Sequence, residues 1–323
     1  MVGELHHKRL ICITGKGGVG KSALTASVAR LLHRQSAERR VLACEVEPCS
    51  ALGPLLGLDA AALEHTPKPT PSGVWGCNID PDRALIDITR RFVRSPTVAR
   101  ATVSNPFTRL FFKTAPFVAE LATLLHLRQL LHRSDQPWDT VVFDLPSTGH
   151  ATAFLTAPAT AHGLLRVGGL AQLTGKLDAA LRDPEHTAII LVTRPETMPI
   201  NETIALYRQL QDDLGPVVHH VVINMVRPAP VDESERTTLN QLSAQIDAAH
   251  IPPHLTRLIE GGMRGLGQRD REQHQIDRLH TALEGIVTVT VPYIFGAHSD
   301  PDLVEQITDA LVVGNHGLLS PST

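Results

Sequence analysis

A run near the start of the chain, Leu10-Ile11-Cys12-Ile13-Thr14-Gly15-Lys16-Gly17-Gly18-Val19-Gly20-Lys21-Ser22, leaves few folds open. Its apolar first half predicts a buried strand. A glycine-rich turn follows. Residues 23–32 hold neither Gly nor Pro and predict a helix. Strand, glycine loop and helix together are the setting a phosphate-binding loop needs. Glycines let backbone N–H groups wrap an anion with no Cβ in the way, and the helix start adds its positive dipole end. Gly15, Gly17, Gly18, Val19 and Gly20 then form the cradle, and the Gly15-x4-Gly20-Lys21-Ser22 spacing fits throughout. Lys21 reaches the β- and γ-phosphates, and the Ser22 hydroxyl ligates Mg²⁺. A glycine turn that binds nothing gives no reason for two lysines, Lys16 and Lys21, in one loop.

Further along, apolar runs alternate with helical patterns. Residues 40–46 predict a second buried strand, ending at Glu47-Pro48, where Pro48 cannot continue a ladder. Glu45 and Glu47 are two carboxylates at a strand end near the phosphate loop, placed to orient an attacking water. Residues 67–73 read as a proline-rich loop, 74–79 as a short strand, and Asp80-Pro81-Asp82 as a helix start capped by Asp80. The run 138–144 predicts a third strand ending in Asp144, the position from which P-loop enzymes hold Mg²⁺. Residues 146–150 read as a small-residue turn able to move with the γ-phosphate. Strands over 187–193, 217–224 and 286–291 and helices over 199–213, 232–282 and 301–312 complete the pattern. It predicts an α/β fold with a doubly wound, mostly parallel sheet. No internal repeat is visible, so the chain is read as one ATPase unit over 1–323, with a helical subdomain inserted at about 82–135. Further helical segments are expected over about 155–185 and 232–282, and a disordered tail over 313–323.

Residues 88–133 differ in character. Apolar positions recur at helical spacing at Phe117, Leu121, Leu124, Leu125 and Leu131. Arg90, Arg91, Arg94, Arg100, Arg109, Lys113, Arg128 and Arg133 face one acid, Glu120. Two readings stand: a helical subdomain with its own core and a solvated basic face, or a docking surface for an acidic or amphipathic partner.

Net charge is −3, from 30 basic and 33 acidic residues, so there is no overall nucleic-acid footprint. No run of about 18 apolar residues is present, and the start shows no signal-peptide pattern. The expectation is a soluble, cytoplasmic protein rather than an integral membrane one. Cys12, Cys44, Cys49 and Cys77 show no CxxC spacing, which argues against a disulfide framework.

The loop Lys16-Gly17-Gly18-Val19-Gly20-Lys21-Ser22 resembles the deviant Walker A loop of the MinD, ParA, nitrogenase iron protein and ArsA group. That resemblance implies that Lys16 reaches across a homodimer to the partner's nucleotide. Ordered matches over most of residues 8–312 narrow it to the ArsA family, which includes the arsenite-pump ATPase and the ATPase that targets tail-anchored membrane proteins. Residues 41–52 resemble the switch I stretch, with Glu47 where the family has its catalytic Asp and Ser50 where it has His. Asn78-Ile79-Asp80-Pro81 resembles Glu-Ile-Asp-Pro. Residues 143–150 resemble switch II, keeping Asp144 and Thr148-Gly149-His150 but departing at Leu145-Pro146-Ser147. His150 is read as a switch hinge. Residues 192–196 resemble Val-Thr-x-Pro-Glu. Val222-Ile223-Asn224 resembles the strand whose Asn reads the adenine edge, and Val291-Pro292 the proline turn beside the base. The resemblance implies ATP and Mg²⁺, catalytic roles for Lys16, Glu47 and Asp144, and a dimer that opens and closes around a protein client or membrane partner. A nucleotide-gated binding module with little hydrolysis is the alternative. An arsenite pump is disfavoured, because a soft metalloid prefers clustered thiolates and all four cysteines precede Asp144.

Overall fold

The computed structural model describes residues 5–46, 48–59, 61–92, 117–132, 138–165, 167–229, 231–244 and 252–313. Eight strands form one sheet: β1 Leu10–Gly15, β2 Val41–Glu45, β3 Lys68–Pro69, β4 Trp75–Asn78, β5 Thr140–Asp144, β6 Thr187–Thr193, β7 Val218–Val226 and β8 Val287–Pro292. Their order across the sheet is β3-β4-β2-β5-β1-β6-β7-β8. All pairs are parallel except β3 with β4. β1, β2, β5 and β6 are buried along their whole length. That is why they read in sequence as continuous apolar runs rather than alternating ones.

The helices are α1 Lys21–Gln35, α2 Leu52–Leu55, α3 Pro81–Phe92, α4 Val118–Leu131, α5 Thr148–Leu164, α6 Gly169–Arg182, α7 Thr197–Leu214, α8 Glu233–Ala244, α9 Pro253–Ala282 and α10 Asp300–Val313. Successive side chains of a strand point to opposite faces, and here each face is covered. Ile11, Ile13, Val142, Ile190 and Val192 pack against α1, α2 and α10. Leu10, Cys12, Phe143, Ile189 and Leu191 pack with residues of α3 to α7 and α9. The sheet is therefore doubly wound, the α/β class that the alternating pattern predicts.

Several details differ from the sequence reading. Residues 68–69 lie inside the stretch read as a loop, yet they form the antiparallel edge strand β3. Pro69 is tolerated there because an edge strand need not donate every ladder bond. Thr148, Gly149 and His150 are already helical, as the first turn of α5, rather than part of a turn before it. The helices expected across 232–282 are α8 and α9, in agreement with the sequence reading. Of the basic region, α3 and α4 are described; residues 93–116 and 133–137 lie outside the described residues, as do 314–323 of the expected tail. Ile88 of α3 and Leu124 and Leu125 of α4 share one apolar cluster with Leu10 and Phe143 of the sheet.

One group joins α3, α4 and the segment before β3. His65, Asp87 and His126 lie together, with His65 Nε2 3.4 Å from Asp87 Oδ2 and the two imidazoles 4.2 Å apart. His65 Nδ1 accepts the Asp80 backbone N–H at 3.1 Å. The other ring nitrogen, Nε2, faces Asp87. Each of the three side chains offers one ligand atom, and these atoms lie within 4.8 Å of one another.

The carboxyl ends of β1 and β5 lie side by side, with Ile13 opposite Asp144. From β1 the chain leaves through α1 toward β2, on one side of the pair. From β5 it leaves through α5 and α6 toward β6, on the other. Crevices of this kind, where the chain departs in opposite directions, are where open α/β sheets bind ligands.

Candidate active site

The loop from Gly15 to Gly20 fills that crevice. Gly15 lies opposite Val192 of β6, and a Cβ there would run into the Val192 carbonyl. The tight start of the loop thus requires glycine. Gly20 has φ 93°, in the left-handed region, and caps α1 with no side-chain hydrogen bond. A Cβ there would collide with the Asn224 amide. Between them, Gly17 and Gly18 are exposed, and a Cβ on either would meet nothing within 4 Å. The crest of the loop is thus open, above a helix start with no side-chain cap, which suits an anion.

Asn224 sits at the end of β7, 3% exposed, directly under the loop. Its Nδ2 donates to the Val19 carbonyl at 2.8 Å, and its Oδ1 accepts the Met225 N–H at 2.9 Å. Its amide therefore clamps the loop to the sheet. One N–H and one lone pair of the amide remain beyond those two bonds. Pro292 closes β8 opposite Val226, and Tyr293 N–H donates to the Val226 carbonyl at 2.9 Å. Beside them, Arg227 is held by Glu272, a 2.5 Å ion pair.

The two residues expected to hold a metal meet. Ser22 Oγ donates to Asp144 Oδ2 at 2.5 Å, across 122 positions of sequence. Asp144 is 6% exposed. Leu145, where the switch II resemblance departs, is buried; its N–H continues the ladder to the Ile13 carbonyl at 2.9 Å. Lys21 folds back over the loop, with Nζ 3.4 Å from the Lys16 carbonyl. Lys16 turns sideways to an ion pair with Glu202 of α7. His150 is exposed in the first turn of α5.

Of the two carboxylates at the end of β2, Glu47 lies outside the described residues. Glu45 is fully buried and engaged. Its carboxylate accepts the Ser50 hydroxyl and the backbone N–H groups of Ala51 and Leu52, both at 3.0 Å. Ser50 Oγ in turn accepts the Gly53 N–H at 2.9 Å. Glu45 thus builds the corner from β2 into α2. Replacing Glu45 with Ala orphans the buried Leu52 N–H, at about 1–3 kcal/mol, while the N–H of exposed Ala51 can turn to water. The expected outcome is a fold destabilised by about 1–3 kcal/mol, read as a lower urea midpoint. Unchanged stability with lost turnover would instead return Glu45 to the chemistry.

Cys12, Cys44 and Cys77 are buried, and Cys49 is exposed. Burial pushes the Cys12 thiol up to about 12. Burial, then the neighbouring Cys77 with Sγ atoms 3.1 Å apart, holds Cys44 well above the usual thiol value.

Sequence reasoning missed Glu202 and the double engagement of Asn224. Nothing near Glu202 in the chain marks it out from any other acid on a helix.

Comparison with known proteins places these features in a family. Residues 8–174 and 170–251 match the family described as Anion-transporting ATPase. The chain is 26% identical over 267 residues to an "Arsenical pump-driving ATPase" of Acidiphilium multivorum, a match covering 76% of this chain and 44% of the relative. It is 25% identical over 307 residues to a "Putative arsenical pump-driving ATPase" of Halobacterium salinarum, covering 82% and 46%. To "ATPase GET3" of Kluyveromyces lactis it is 26% identical over 313 residues, covering 80% and 86%. The chain thus spans under half the length of the two arsenical pump-driving relatives.

Proposed function

The chain belongs to the Anion-transporting ATPase family, the ArsA family of the sequence resemblance, and from that premise we propose that it is a Mg²⁺-dependent ATPase acting as a homodimer. The observation that carries this reading is the contact of Ser22 Oγ with Asp144 Oδ2 at 2.5 Å beside an open glycine cradle. Both are hard oxygen donors, the kind Mg²⁺ takes. Ser22 and Asp144 would hold the ion, which when bound neutralises charge on the phosphates.

The chain's own groups do the rest. Backbone N–H groups of Gly17, Gly18, Val19 and Gly20 wrap the phosphates, and the start of α1 adds its dipole. Lys21 leaves its long contact with the Lys16 carbonyl and pairs with the β- and γ-phosphates. Asn224 offers its remaining N–H and lone pair to the adenine edge beside Pro292, and Glu47 orients the attacking water. Lys16 completes the partner's site from across a two-fold axis. Nucleotide-driven opening and closing of the dimer then handles a protein client or membrane partner. Among the described residues no helix is long and apolar enough to cross a membrane, so a membrane partner would be met from outside. An arsenite pump is not favoured: metalloid capture needs thiolates, and the buried Cys12 and Cys44 are held protonated.

Phosphate release measured with Mg²⁺ and again in EDTA tests the reading. Turnover is expected with Mg²⁺ and only background in EDTA. ATP that binds while phosphate release stays at background in both would mean a gated binding module instead.

A further inference from the structure

The Glu202 carboxylate touches two parts of the site at once. One oxygen pairs with Lys16 Nζ of the phosphate loop. The other accepts the Thr148 hydroxyl at 3.4 Å. Thr148 is the first residue of α5, four positions beyond Asp144. A single side chain on α7 therefore joins the first loop lysine to the segment that follows the metal-holding acid.

Lys16 also lies at the surface. Met198, one turn earlier on α7, has its Sδ 4.0 Å from Lys16 Nζ and is 65% exposed. While paired, its charge is turned along its own chain and satisfied there.

We propose that Glu202 is a positioning residue that holds Lys16 within its own subunit until a partner's nucleotide competes for it. This rests on the dimeric reading above. A symmetric dimer must release two such pairs, one per subunit, before both lysines can cross. The side chains of Lys16 and Glu202 are 30% and 34% exposed, so each pair is weak enough to exchange. The phosphates offer a stronger, charge-assisted partner. Exchange of one anion for another lets nucleotide occupancy, rather than protein concentration alone, set dimerisation.

The test is Glu202→Gln in the full chain, read by sedimentation with and without Mg-ATP. Glutamine keeps the size and a hydrogen bond to Thr148 but removes the charge that restrains Lys16. The ATP-loaded dimer should form at roughly three- to tenfold lower protein concentration, while ATP affinity stays within about twofold. Glu202→Asp keeps the charge on a shorter arm and should fall between Gln and wild type. Thr148→Val removes only the long second contact and should shift dimerisation the same way, but less. A misfolded variant would dimerise less, so a gain is a readout that damage cannot produce. Dimerisation of Glu202→Gln at the same or higher concentration than wild type would overturn the proposal, with the function above intact. A wild-type chain that binds ATP and stays monomeric would overturn both.

Discussion

Lys21→Ala is expected to abolish ATP binding, lowering affinity by at least about a hundredfold. The Lys21 amine is the one full positive charge that follows directly from the glycine cradle into α1. Charge-assisted hydrogen bonds to phosphate contribute about 1.5–3 kcal/mol each. Losing two of them corresponds to on the order of 10²–10⁴ in affinity. In the structure the amine makes one long contact, 3.4 Å to the Lys16 carbonyl. Little stability depends on it, so the variant should melt within a degree or two of wild type. Titration with labelled ATP, beside a thermal melt, checks both halves. Unchanged affinity would mean the cradle does not hold the phosphates.

Lys16→Ala should behave differently. Its side chain points away from its own loop, to Glu202. ATP binding should therefore be retained, within a fewfold of wild type. Turnover should fall on the order of 10³-fold, the scale at which a charge supplied across an interface acts on a phosphoryl transition state. ATP-dependent dimerisation should weaken too, because the residue proposed to reach the partner's nucleotide is gone. Steady-state phosphate release and sedimentation of the same preparation separate the two effects. A variant that loses ATP binding outright would place Lys16 among the groups that hold its own nucleotide.

These two lysines also show what the sequence could and could not disclose. The loop was legible because its information is local: strand, glycines and helix are contiguous, and each glycine answers a steric demand. Asp144 was legible because an acid ending an apolar strand is a short pattern, although only the fold brings it to Ser22 across 122 positions. Glu45 and Glu47 looked equivalent as two acids at a strand end. Strand alternation puts residues two apart on one face, so only burial and hydrogen bonding reveal that Glu45 caps the turn into α2. Strand β3 was invisible because two residues with a proline carry no periodicity. The clamp from Asn224 to Val19 spans 205 positions. It can be anticipated from sequence only as an Asn at a strand end, which says nothing of what lies beneath it. Glu202 had no signal at all, since one acid on an amphipathic helix resembles every other. One of the two readings of residues 88–133 gives its helices a core of their own, because helical spacing records which positions are buried but not against what. In the fold their apolar residues join the sheet's cluster.

In the proposed dimer two chains share two nucleotides and each Lys16 serves its partner. Mixing a Lys16→Ala chain with a Glu47→Gln chain tests it most directly. Each variant alone builds dimers in which both sites are defective. In a mixed dimer, the nucleotide on the Lys16→Ala chain has its own Glu47 and receives Lys16 from the other subunit. One intact site per mixed dimer predicts about a quarter of wild-type turnover in an equimolar mixture, since half of randomly paired dimers are mixed. That is far above either variant alone. A mixture no more active than its components, with mixed dimers shown to form by differential tagging, would mean that Lys16 acts within its own chain.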